Sequence, residues 1–170
     1  KTVTFQTLFE AFQLMEKESI NYDYLHSWCD MSLANRNKQP GLISFGSYKQ
    51  GNQIKQYKID HKISKVHLPI LINIFGTKLI VVVNKLYYFI NTIKCYKTML
   101  LHDFIFPSRS NLFYFSMFGK KGVIEHQVII PKEKAKRYLE EMMMIIENTN
   151  PKISLCHLKV FSGHGSLLRF

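Results

Sequence analysis

The sequence has few acidic residues, three cysteines and one tryptophan, and it lacks a long uninterrupted apolar run. The longest apolar stretch, residues 68–90, is broken by two asparagines and by Lys78 and Lys85. A lysine near a bilayer centre costs about 2.5–3.5 kcal/mol on insertion scales. The stretch therefore predicts a buried helix rather than a membrane span. The apolar and aromatic content, 46% and 14%, excludes a disordered chain.

Sequence signatures of metal sites and of common catalytic centres are also missing. Cys29, Cys95 and Cys156 form no CxxC pair and have no zinc-finger spacing, so we predict reduced cysteines in a cytoplasmic chain and no metal site. There is no GxGxxG, no Walker A and no GxSxG motif. Cys156 and His157 are neighbours on a predicted strand, where they would point to opposite faces and could not pair as nucleophile and base.

Positive charge is concentrated in the middle of the chain. The whole sequence has 23 Lys and Arg against 12 Asp and Glu, and residues 61–122 alone have nine against one. Such a segment would attract nucleic acid, anionic lipid or a phosphorylated substrate. The alternative is that these lysines merely solvate the surface of the fold.

The order of predicted elements indicates one α+β domain over residues 1–170. Strands are predicted at residues 2–5, 22–30, 41–48, 122–130 and 153–161. Helices are predicted at residues 8–17, 70–91 and 131–148, the last with an outer Glu133–Arg137 pair and with Ile145 on its inner face. Two βαβ-like, ferredoxin-like halves of this kind predict a mixed or antiparallel sheet covered on one face by helices. The residues at both ends of the chain have a strand-like pattern, so we expect this chain to be part of a longer protein.

Two predicted strands have faces with polar and aromatic side chains. Alternation puts Glu125 and Gln127 on one face of the strand at 122–130. In the last strand one face has both polar and apolar members, namely Leu155, His157, Lys159 and Phe161. The opposite face is small or apolar and can meet helices (Ser154, Cys156, Leu158 and Val160). The mixed face is typical either of a solvent-exposed sheet or of a pocket wall.

Several short motifs resemble FAD-linked oxidases of the vanillyl-alcohol-oxidase type, closest to the decaprenylphosphoryl-ribose oxidase branch. The motifs are Trp28-Cys29-Asp30, Asn84-Lys85-Leu86-Tyr87-Tyr88, Phe104-Ile105-Phe106-Pro107, Phe118-Gly119, Gly122 to Pro131 with Glu125 and Gln127, and Leu158-Lys159-Val160-Phe161. They occur in the same order over nearly the whole chain. The sequence departs from the family at Ser108-Arg109, Tyr114 and Glu125, where Leu-Asp, Trp and Gln are usual.

The resemblance implies a substrate-binding domain that lies over a flavin held elsewhere. Its substrate-binding residues would be Trp28, Glu125, Gln127, Leu155, His157, Lys159 and Phe161. Lys159 would bind polar or anionic substrate groups, and Trp28 and Phe161 would shape apolar walls. The reaction would be oxidation of a sugar hydroxyl, the sugar being free or linked to a lipid phosphate, with hydride transfer to FAD.

The same resemblance sets expectations for partners. The chief partner would be an FAD-binding domain of the same polypeptide. This chain alone should neither hold FAD nor turn over, and no nucleic acid is expected. The location would be cytoplasmic, with peripheral membrane contact left open. Two alternatives remain, a stand-alone basic α+β module that binds nucleic acid or anionic surfaces, and a decayed remnant without function.

Overall fold

The computed structural model describes residues 1–33, 35, 37–48, 73–75, 78–93, 96, 98–101, 104, 116–120 and 122–160. Its elements, in chain order, are β1 (Thr2–Phe5), α1 (Leu8–Glu18), β2 (Tyr24–Asp30), β3 (Gly41–Gly46), α2 (Leu79–Ile93), a 3-10 turn (Lys132–Lys134), α3 (Ala135–Thr149) and β4 (Leu155–Cys156). Within these residues, no helix combines the length and the apolar character needed to cross a membrane.

The described strands form one antiparallel sheet in the order β1-β3-β2-β4. Because β3 lies between β1 and β2, the β1–α1–β2 unit is a split β-α-β arrangement. The fourth strand is added beside β2, and its ladder is only two residues long. The predicted α+β class and antiparallel sheet are confirmed.

One face of the sheet packs against α1 and α3 to form the hydrophobic core. Fully buried members include Phe5 of β1, Cys29 of β2 and Ile43 of β3. The small or apolar side of the last predicted strand joins this core through Cys156, Leu158 and Val160, as the sequence predicted. Alternation along each strand therefore fixes which side chains remain for the opposite face.

Local sequence signals position α1. The hydroxyl of Thr7 accepts a hydrogen bond from the Glu10 amide at 3.1 Å, which is the predicted N-cap. The Glu10 carboxylate reaches back to the amide of Gln6 at 2.7 Å. A second cap comes from a distant residue, because the buried Gln39 side chain accepts from the Leu8 amide at 3.1 Å. The start of α1 is thus tied to the loop that leads into β3.

The remaining helix, α2, lies over the opposite face of the sheet. Its buried residue Asn84 donates to Asp30 Oδ1 at 2.7 Å and to the Ser154 carbonyl at 3.0 Å. The same Asp30 oxygen accepts from the amide and the hydroxyl of Ser32 at 2.9 and 2.6 Å. The buried Asp30 side chain therefore has three hydrogen bonds, two from Ser32 and one from Asn84, as a buried polar group requires partners. This network holds α2 against β2 and β4.

The largest difference from the sequence prediction is at residues 122–130. This segment is not a strand, and eight of its nine residues are exposed, including Ile124 at 99%. Gly122 at its start has a φ of 68°, in the left-handed region. The apolar alternation of the segment suits a strand, but no neighbouring strand pairs with it among the described residues, so its apolar side chains stay in solvent.

Two smaller predictions about α3 were wrong. Arg137 pairs with Glu141 at 2.7 Å, one turn towards the C-terminus, instead of with Glu133. Glu133 belongs to the 3-10 turn, whose side-chain spacing differs from that of an α-helix. Ile145 is 61% exposed, and Met143 is the buried residue in its place.

Candidate functional site

The pairing of β2 with β4 brings side chains from both strands to one face. Asp30 lies opposite Leu155 and Cys29 opposite Cys156. The pairing continues past the ladder, because the Ser27 amide donates to the Leu158 carbonyl at 3.1 Å. Extending this register places His157 beside Trp28 and Lys159 beside His26. We call this surface the polar face; its members are Tyr24, His26, Trp28, Leu155, His157 and Lys159.

Trp28 forms the apolar part of the polar face. Its indole is 8% exposed, and its ring centroid lies 4.7 Å from that of Tyr87 on α2, with a tilt of 52° between the planes. Burial raises the pKa of the Tyr87 phenol above its ordinary value. The indole is therefore held in a fixed position between the sheet and α2, with only a small part of its surface left to a ligand.

A second aromatic group packs beside His26. The ring of Phe104 lies 4.8 Å from the His26 ring and 6.3 Å from that of Tyr24, both edge to face. The hydroxyl groups of Tyr24 and Tyr48 are 2.6 Å apart, and this hydrogen bond is the main reason that the pKa of Tyr24 is raised. These rings cover one side of His26 and leave it half-buried.

Two histidines and a lysine of the polar face lie close enough for their charges to affect one another. Burial, together with the nearby charges of His157 and Lys159, lowers the pKa of His26 to about 4. Desolvation also lowers the pKa of His157, although its side chain keeps an exposed surface, and Glu125 partly opposes the shift. Both imidazoles are therefore neutral at pH 7, and Lys159 is the positive charge of this cluster.

A hydrogen bond identifies the tautomer of His157. Its Nδ1 lies 2.8 Å from the carbonyl oxygen of Ser27. Because a carbonyl oxygen only accepts, Nδ1 must carry the proton, and Nε2 of the neutral ring has a free lone pair. The Ser27 hydroxyl accepts from the Leu158 amide at 2.8 Å and so secures the backbone beside this ring. His157 is thus fixed as a hydrogen-bond acceptor.

Two further predicted residues lie at the edge of this cluster. Gln127 Nε2 donates to Glu125 Oε1 at 2.6 Å, and both side chains are exposed. The charge of Glu125 is the weakest of four influences on the pKa of His157 and raises it, so this carboxylate is within electrostatic reach of the polar face. The structure therefore connects Glu125 and Gln127 to the site through the exposed segment 122–130 rather than through a paired strand.

No known relative was found. Comparisons with protein-family models, with curated proteins and with solved structures gave no match to the chain. The interpretation of the polar face therefore depends on its own geometry.

Other regions contribute little to a site. Among the residues that the structure describes, no group of three or more His, Cys, Asp and Glu could hold a metal ion. A groove of about 420 Å³ lies between α1 and the start of α3, lined by Phe9, Phe12, Gln13, Glu16, Lys132, Glu133 and Lys136. Since α1 and α3 cover the opposite side of the sheet, none of the predicted substrate-binding residues lines this groove.

The structure brings together most of the residues that the sequence singled out. Trp28, Leu155, His157 and Lys159 share the polar face, Glu125 and Gln127 lie at its margin, and Phe161 lies outside the described residues. Sequence reasoning missed His26, Tyr87 and Phe104 as neighbours of the site. The alternation of His26 with Trp28 was a signal for the first of them, but no pattern indicated that Tyr87 and Phe104 would cover this strand.

Proposed function

We propose that the chain is the substrate-binding part of an FAD-dependent oxidoreductase that oxidises a sugar hydroxyl. The observation that carries this proposal is the register of β2 and β4, which sets Trp28, His157 and Lys159 side by side on one face. These are residues that the resemblance to FAD-linked oxidases assigns to substrate binding. An indole wall, a neutral imidazole acceptor and a single ammonium group suit a polyhydroxylated or phosphorylated sugar.

Each side chain has a distinct role in this proposal. The free Nε2 of His157 accepts a hydrogen bond from a sugar hydroxyl, and can take its proton when the carbon bearing it is oxidised. Lys159 neutralises a phosphate or binds neighbouring hydroxyls. Trp28, held by Tyr87, shapes the apolar floor of the site with the small part of its surface that remains exposed. When bound in the complete protein, the flavin would accept the hydride from that carbon.

The described residues do not fit a site that holds FAD itself. A dinucleotide pyrophosphate typically binds the free amides at the start of a helix that follows a strand. The start of α1, which follows β1, is already occupied, because the Leu8 amide donates to Gln39 and the Glu10 amide to Thr7. The cofactor would therefore be held by an FAD-binding domain of the same polypeptide.

The decisive experiment expresses the whole reading frame, supplies FAD, and mixes the protein anaerobically with a pentose phosphate. We expect flavin absorbance that bleaches as the sugar is oxidised. Lys159→Met should lower kcat/KM by about ten- to hundredfold, because a hydrogen bond to a charged group contributes about 1.5–3 kcal/mol. The matched control is Lys152→Met, an exposed lysine before β4, which should leave kcat/KM unchanged.

If the protein stays colourless after FAD is supplied, the proposed oxidation is ruled out. If FAD binds but Lys159→Met leaves kcat/KM unchanged, the polar face is not the substrate site. The alternative, a basic module for nucleic acid or anionic surfaces, stays a prediction, because most of residues 61–122 lie outside the described part of the chain.

A further inference from the structure

The outer face of α2 is an exposed apolar stripe. Its members are Val82, Leu86, Phe89 and Ile93, with exposed fractions of 60%, 57%, 62% and 66%. At about 100° per residue, the spacings of four, three and four residues put all four within a narrow arc of the helix. Ile90, 45% exposed, widens the arc on one side. We call these five residues the α2 stripe.

The α2 stripe points away from the described sheet because the other side of the helix is fixed to that sheet. Ile80 and Asn84 are the buried residues of α2, 6% and 3% exposed, and they lie about half a turn from the stripe. Asn84 is bound to Asp30 and to the backbone of Ser154. The helix cannot rotate the stripe inward without breaking these buried hydrogen bonds.

Two lysines border the stripe among the residues that the structure describes. Lys78 and Lys85 are exposed and flank it on the side opposite Ile90, and α2 contains no acidic residue. In the sequence around it, residues 61–122 contain nine Lys and Arg and one Asp. An apolar stripe that is bordered by lysines, on a helix without acidic residues, complements a surface that is apolar inside and anionic outside, which is the surface of an anionic bilayer.

We propose that the α2 stripe is a membrane-contact surface that inserts into the headgroup layer of anionic lipid. With 15 residues, α2 is shorter than the roughly 20 that a spanning helix needs, so it lies in the plane of the membrane. Lys78 and Lys85 contact lipid phosphates while Leu86 and Phe89 enter the acyl boundary. The proposal does not depend on the flavin assignment.

The test is co-flotation of the purified chain with vesicles made of equal parts of phosphatidylglycerol and phosphatidylcholine. Wild-type protein should float with these vesicles and bind pure phosphatidylcholine more weakly. Phe89→Ser and Leu86→Asn should each lower the partition coefficient about tenfold or more, because each removes a large apolar side chain from the lipid. Lys85→Gln should lower it about fivefold, and on the anionic vesicles alone.

Two controls separate specific contact from general stickiness. Ile145→Ser removes an equally exposed apolar side chain from α3, at 61% exposure, and should leave vesicle binding unchanged. Because the stripe residues are exposed, their variants should keep the thermal midpoint of the wild type, and Val82→Ser provides a further variant at 60% exposure.

Three results would overturn the proposal. The first is a wild type that does not float with anionic vesicles, and the second is equal flotation of the wild type and of the Phe89→Ser and Leu86→Asn variants. The third is sedimentation showing a dimer that Phe89→Ser dissociates while vesicle binding persists unchanged, which would assign the stripe to a second copy of the chain.

Discussion

Replacing Gly41 with alanine should destabilise the fold by about 3 kcal/mol or more, because overpacking a rigid core forces the backbone to move. Gly41 opens β3, opposite Phe5 of β1 and Cys29 of β2. A Cβ atom at this position would overlap the ring of Phe5 and the carbonyl oxygen of Trp28. Phe5 is 1% exposed and Trp28 belongs to the central ladder, so neither can yield. Urea unfolding followed by circular dichroism measures the loss.

Gly46, at the other end of β3, is the matched control for Gly41. A Cβ there would meet the ring of Phe104 at 3.1 Å, and a side-chain ring can shift by a few tenths of an ångström. Gly46→Ala should therefore cost less than about 1 kcal/mol. Equal losses for the two variants, or a tolerated Gly41→Ala, would contradict the close packing of β1, β2 and β3.

Lowering the pH from about 6.5 to about 4 should destabilise the protein by roughly 2–3 kcal/mol through His26 alone. Burial lowers the pKa of this imidazole from 6.5 to about 4 in the folded protein, with help from the charges of His157 and Lys159. In this window the unfolded chain binds a proton that the folded protein does not, so unfolding becomes more favourable as the pH falls. Stability from this source is fully present above pH 6.5.

The variant His26→Phe isolates this contribution. A phenyl ring keeps the packing against Phe104 but cannot titrate. Its free energy of unfolding, measured by urea titration at several pH values, should fall much less between pH 6.5 and 4 than that of the wild type. Part of the dependence of the unfolding free energy on pH should remain in this variant, because the pKa of His157 is also lowered. If the unfolding free energy of His26→Phe depends on pH as strongly as that of the wild type, His26 is not half-buried beside His157 and Lys159.

The elements near the N-terminus could be predicted because their signals are local. Thr7 and Glu10 mark the start of α1, and the alternation of aromatic and small residues from Tyr24 to Asp30 marks β2. The apolar side of the last strand was also predicted, since alternation alone decides that Cys156 and Leu158 lie on the core side.

The features that failed depend on partners distant in sequence. Residues 122–130 have a strand pattern, yet a strand forms only where another backbone completes its hydrogen bonds. The position of Lys159 beside His26 depends on the register between two segments that are about 130 residues apart, as the Ser27–Leu158 hydrogen bond shows. The local sequence of either segment does not encode that register. The apolar residues of α2 predicted a buried helix, but periodicity does not tell which of two apolar sides meets the sheet.

The most direct test of the polar face uses Trp28, the one tryptophan of the chain, as a reporter. Its fluorescence would be followed while ribose 5-phosphate is added to the wild type, to Lys159→Met and to Lys152→Met. We expect a saturable change in the wild type and in Lys152→Met, and a dissociation constant at least about tenfold weaker in Lys159→Met. An emission that does not respond to the sugar phosphate, or that responds equally in all three proteins, would contradict a substrate site built on β2 and β4.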